Sequence, residues 1–95
     1  VNKNNFMLNL DTSTIILNNN DFKEVLDYSK QYIRHVHISS PNLQEITKID
    51  HEKISKLLNE INFQGYVALE MKLNINDNNL ETLKRNISIM TKYYS

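Results

Sequence analysis

Ile33-Arg34-His35-Val36-His37-Ile38-Ser39 is the stretch whose reading decides the fold. Val36 and Ile38 fall on one face of an extended chain and His35 and His37 on the other, the period of two that marks a strand with one apolar and one polar side. Pro41 ends it, because proline cannot donate to a sheet ladder. Upstream, Phe6, Leu8 and Leu10 alternate with Met7, Asn9 and Asp11. Downstream, Val67, Leu69 and Met71 alternate with Tyr66, Ala68, Glu70 and Lys72. Three strands of one kind are therefore expected.

Helical patterns lie after each strand. The Asn18–Asp21 cluster supplies an N-cap, and Phe22, Val25, Leu26 and Ser29 follow the spacing of an amphipathic helix. Asp50 caps a second helix, with Glu52 in its first turn and Ile54, Leu57, Leu58 and Ile61 as the apolar stripe. Gly65 separates that helix from the third strand, where a positive φ or tight turn is expected. Asn78 and Glu81 resemble a capping box, and Leu80, Leu83, Ile87, Met90 and Tyr94 mark the stripe of a third helix. His51 reads as a surface residue at a helix start, and Tyr93 and Tyr94 as packing residues.

The order β-α-β-α-β-α implies βαβ units and a parallel sheet. Right-handed crossovers put the C-terminal ends of such strands on one rim, where α/β sites are built. Each of these strands ends on a residue that binds metals: Asp11, His37 and Glu70. Together they would form a mixed oxygen and nitrogen site and would place a carboxylate for proton transfer.

Bulk properties narrow the function classes. The chain has 95 residues, enough for one small domain, read as a single unit over 1–95. Its formal charge is zero with both signs interspersed, which argues against nucleic-acid and membrane partners. It has no cysteine, which removes disulfides, thiolate metal sites and a thiol nucleophile. No apolar run approaches the roughly 20 residues of a membrane span, and no signal peptide opens the chain, so a cytoplasmic protein is the default expectation. The many asparagines cluster between periodic segments, where they suit turns and caps. Asn86-Ile87-Ser88 fits a glycosylation sequon, but it falls within a helical pattern.

The strand faces are unequal. Phe6, Leu8, Leu10, Val36, Ile38, Val67, Leu69 and Met71 make one side apolar, while Asn9, Asp11, His35, His37 and Glu70 make the other polar. A sheet with helices on both sides would read as near-continuous apolar strands. The alternation predicts helices on one side and a polar interior on the other, as in a (β/α)8 barrel of about 250 residues. The fold class expected is α/β: three consecutive βα units with parallel strands, the C-terminal portion of a (β/α)8 TIM barrel. The open face would be covered by the rest of that barrel or by self-association.

The segments LNLDTST, IRHVHISSPNL and INFQGYVALEMK resemble the last three βα units of the xylose isomerase-like TIM barrel family, the sugar phosphate isomerase/epimerase group. The His-x-His-x-Ser and Gly-Tyr-x-x-x-Glu strands are the most specific pieces, and the resemblance covers essentially the whole chain. It implies a divalent metal, manganese first with magnesium, cobalt and zinc as alternatives, held by Asp11, His37 and Glu70. A fourth ligand, a glutamate, would lie on a strand before Val1. It also implies isomerisation or epimerisation of a small sugar or sugar phosphate by proton transfer through an enediolate, with Glu70 as ligand and catalytic acid/base. Candidate substrate contacts are Thr14, His35, Ser39 and Lys72. The sequence departs from the pattern at Thr14, where many relatives carry histidine, and at Ser40, where many carry an acidic residue.

Two other readings compete. One is a non-catalytic barrel segment for assembly or sugar binding, motivated by Thr14 and Ser40. The other is a relative of the endonuclease IV group, which the shortage of histidines and the neutral charge disfavour. The enzyme expected is the parent protein, with the 95-residue chain inactive by itself.

Overall fold

The central strand forms where the alternation predicts it, and the rest of the molecule is arranged around it. A computed structural model describes residues 6–73 and 79–95. Strands β1 (Leu8–Asp11), β2 (Ile33–Ile38) and β3 (Tyr66–Leu69) form one parallel sheet in that order. The helices are α1 (Thr12–Leu17), α2 (Phe22–Ser29), α3 (His51–Glu60) and α4 (Asn79–Tyr94), with short 3-10 turns at Pro41–Leu43 and Ile46–Lys48.

The core lies on one side of the sheet. Val36 and Ile38 of β2 are buried with Leu26 of α2, Ile54 and Leu58 of α3, and Ile46. Leu10, Val67 and Leu69 of the outer strands and Met90 and Tyr94 of α4 pack against them. Burial of each such side chain stabilises by about 1.5–3 kcal/mol before the entropy of ordering is counted. Phe6 and Leu8, placed on the apolar face by alternation, are largely exposed, and Phe6 stacks on Tyr32 instead.

One irregularity sets the register. Leu8 faces Ile33 but Asn9 faces His35, so Arg34 is an extra residue on β2. The extra residue lets Ile33 and Val36, three positions apart, both enter the core. Gly65 answers to the same bulge. A Cβ there would lie 2.1 Å from the Arg34 carbonyl oxygen, and the glycine has no positive φ. Its role is close approach rather than the left-handed turn expected.

Asparagine ends two of the helices. Asn19 and Asn62 take positive φ at the residue after the C-cap of α1 and α3. Asn20 N–H then reaches Ile15 O and Asn19 N–H Ile16 O at α1, as Phe63 N–H reaches Leu58 O and Asn62 N–H Asn59 O at α3, the paired bonds of a Schellman motif at each end. Asp21 and Asp50 cap α2 and α3 through the amides of Lys23 and Lys53. Asn78 of the expected capping box lies outside the described residues.

The fold class is corrected here. The structure shows one sheet of three parallel strands, with an edge of β1 and of β3 unpaired among the described residues, in place of the expected C-terminal portion of a (β/α)8 TIM barrel. An open sheet with helices on one face and solvent on the other alternates just as a barrel wall does, so the pattern could not separate the two. The architecture is a small α/β domain with three parallel strands.

Two further expectations change. The stripe of α4 is rotated: Ile87 and Leu80 are exposed, and Asn86 is fully buried at its centre. Asn86 accepts from Ile46 N–H at 3.0 Å and donates to Thr82 O and Glu45 Oε1. His51 is buried rather than superficial, with 5% of its surface exposed. Its Nε2 lies 2.6 Å from Ile46 O and its Nδ1 2.7 Å from the Tyr94 hydroxyl. A carbonyl only accepts, so Nε2 carries a proton, and in the neutral ring Nδ1 accepts from Tyr94. Burial, with Asp50 and Tyr93 adding to it, holds the Tyr94 hydroxyl well above the usual tyrosine range.

Candidate metal centre

Register brings the rim residues together. Asp11 is aligned with His37 across β1 and β2, and His37 with Ala68 across β2 and β3. Residues in one row of a parallel sheet point to the same face, so Asp11 and His37 are neighbours on the open side. Glu70 stands two residues beyond Ala68 and therefore faces the same way. Its amide donates to Ile38 O at 3.0 Å, which carries the alignment of β3 with β2 past the last strand residue.

The three side chains converge. One ligand atom from each of Asp11, His37 and Glu70 lies within 4.8 Å of the others. His37 Nδ1 is 3.1 Å from Asp11 Oδ1 and 3.3 Å from Glu70 Oε2. Glu70 is the most open of the three, with 44% of its side chain exposed.

Asp11 decides between a structural and a ligand-binding reading. It occupies the N-cap position of α1, yet its side chain makes no capping bond. Its Oδ1 is shielded from solvent and makes no hydrogen bond, its near polar neighbour being His37 Nδ1 at 3.1 Å. A shielded carboxylate oxygen compensated by one imidazole contact alone is costly, and a cation at the point of convergence would lower that cost. Two carboxylates with one imidazole are also a donor set that divalent manganese, magnesium, cobalt and zinc accept. The residues present fit such an ion.

The other sequence-derived candidates are distributed differently. His35 is exposed on the open face, one step down the strand, with its ring 5.4 Å from that of Tyr66. Lys72 is exposed just past Glu70, and its amide donates to Leu43 O. Thr14 is exposed on α1. Ser39 is fully buried, and its hydroxyl accepts from the Ser13 amide at 3.3 Å. Sequence reasoning missed Thr12, buried beside Asp11 and bonded to Ser39. Its only sequence signal is a hydroxyl placed directly after a strand-terminal acid.

No family model matches the chain, and no curated protein matches it. Among solved structures it is similar to the crystal structure of 3-keto-D-glucoside 4-epimerase, YcjR, from E. coli in its apo form. The TM-score is 0.76 at 18% sequence identity, over 90% of this chain and 33% of that one. The chain thus shares a backbone arrangement with about a third of the epimerase's length. The expected membership of the xylose isomerase-like TIM barrel family is corrected accordingly. The likeness found is to a 3-keto-D-glucoside 4-epimerase, and the chain's own sheet is small, with three parallel strands.

Among the described residues, no helix is long and apolar enough to cross a membrane.

Proposed function

We propose that this chain carries part of a carbohydrate epimerase or isomerase site, built on a divalent cation held by Asp11, His37 and Glu70. The observation that supports it most is the convergence of one ligand atom from each of three residues within 4.8 Å. The backbone likeness to a 3-keto-D-glucoside 4-epimerase points the same way for substrate class, a small sugar or sugar phosphate.

Manganese is the first choice of ion, with magnesium, cobalt and zinc as alternatives that use the same donors. A bound divalent cation polarises a carbonyl oxygen and so acidifies the carbon beside it. The residues supply the rest. Asp11 and His37, set in one row of the sheet, hold and orient. Glu70, the most open, turns one oxygen towards His37 and keeps the second to take a proton from the adjacent carbon and return it. Thr14, His35 and Lys72, all exposed, would meet substrate hydroxyls or a phosphate.

Measuring Mn2+ binding and sugar turnover by the full-length protein, with Asp11→Ala and His37→Ala beside it, tests this reading. Loss of binding in both variants is expected. Undiminished binding would sink the metal assignment.

A second reading is a non-catalytic segment for assembly or sugar binding. The open sheet face favours it, since Tyr66 is 74% exposed beside His35 and both sheet edges are free among the described residues. Turnover of any ketose by the full-length protein would exclude it.

A further inference from the structure

Among the described residues the triad's side chains touch only one another, through His37 Nδ1, so the backbone beneath them must set their spacing. The β1–β2 pairing stops at Asp11 and His37, and α1 begins at once with Thr12. No loop intervenes to absorb error between the two strands. At this junction the Thr12 hydroxyl takes over from the ladder. It donates to Ser39 O at 2.6 Å and accepts from Ser39 N–H at 2.8 Å, meeting both backbone groups of a residue on the neighbouring strand's extension. Ser39 returns the contact: its hydroxyl accepts from the Ser13 amide at 3.3 Å, satisfying one of the free donors at the start of α1. Thr12 is 1% exposed and Ser39 is fully buried, so water does not compete for these bonds.

We infer that the Thr12 hydroxyl is a positioning residue for the cation site, its reciprocal bonds with the Ser39 backbone setting where Asp11 stands relative to His37. Asp11 is the residue immediately before this clasp, and His37 lies two residues before its other half. Because the Asp11 side chain makes no capping bond, its position follows from its backbone, and its backbone follows from Thr12. Thr12 touches no substrate and acts only through its neighbour. The inference rests on the cation reading of the triad given above.

The test is Mn2+ affinity of the full-length protein, read from the spectroscopic signal of the free ion, in the wild type, Thr12→Val, Thr12→Ser and Ile54→Val. Outer contacts of this kind typically change metal affinity by about 10–100-fold. Thr12→Val, which keeps the shape and loses the hydroxyl, is expected to weaken binding by that factor, while Thr12→Ser restores it to within a few-fold. Amide exchange at Ser39 should quicken in Thr12→Val and stay slow in Thr12→Ser. Ile54→Val, a core truncation away from the rim, controls for lost stability and should leave affinity unchanged. Equal affinity in Thr12→Val and wild type, or an equal loss in Ile54→Val, would overturn the inference while leaving the cation site standing. A wild type that binds no Mn2+ would overturn the cation reading, and this inference with it. Should Thr12→Val fail to fold, Thr12→Ala carries the test, because it removes the same two bonds to the Ser39 backbone. A weakening of about 10–100-fold is then expected, and an unchanged affinity overturns the inference.

Discussion

His37 and His51 sit in two regions of this molecule that treat a histidine in opposite ways. At the junction of α3 with α4, both ring nitrogens of His51 are satisfied, one by the Ile46 carbonyl and one by the Tyr94 hydroxyl, and the ring is buried. At the rim of the sheet, the His37 ring is partly exposed and its contacts among the described residues are with two carboxylates, through Nδ1 at 3.1 and 3.3 Å. A buried, fully partnered polar group holds a fold together. A partly exposed imidazole grouped with two carboxylates is a donor set that a cation can enter. The difference lies in what each ring touches, and neither residue type nor position along the chain reveals it.

The contrast can be broken by substitution. Glu70→Gln should lower sugar turnover of the full-length protein most, by about 10²–10⁴-fold if it moves the proton. Its melting temperature should stay close to wild type, and steady-state kinetics with a melt on the same sample checks both. His51→Ala should do the reverse. It leaves the Ile46 carbonyl and the Tyr94 hydroxyl without a partner, a cost of about 1–3 kcal/mol in denaturant unfolding, with Mn2+ affinity unchanged.

Asp11→Asn sharpens the comparison through opposite signs. Without a cation, two carboxylates share one imidazole, so removing one charge should leave stability unchanged or raise it by up to about 0.5 kcal/mol. The same change should weaken Mn2+ binding. A site kept for structure would lose stability instead.

The smallest effect is on pH dependence. Tyr94 has its pKa raised in the folded state, so the folded protein holds that proton more tightly than the unfolded chain, whose tyrosine titrates at about 10. The associated stability is full below that pH and falls as pH rises above it. Ultraviolet titration should show Tyr94 ionising late, together with unfolding.

Much of the site was legible in the sequence, because period-two strands put alternate residues on one face whatever surrounds them. Asp11, His37 and Glu70 needed only that rule and a common rim. The stripes of α2 and α3 were legible for the same reason. What was not legible depended on partners far along the chain. Asn86 is polar, so hydrophobic spacing places the stripe of α4 through Ile87 and Leu80; its burial follows from the Ile46 amide 40 residues earlier. His51 was hidden in the same manner by Tyr94, 43 residues on. The bulge at Arg34 and the close approach of Gly65 are two halves of one contact that neither segment announces alone. The barrel reading failed differently, since an open sheet and a closed one impose the same alternation on each strand.

As a cation site, the rim triad is put to the test by Mn2+ titration of the full-length protein beside its His37→Ala variant. Saturable binding of one ion by the wild type is expected, and its loss in the variant. Binding of equal strength in both, or none in the wild type, would contradict it.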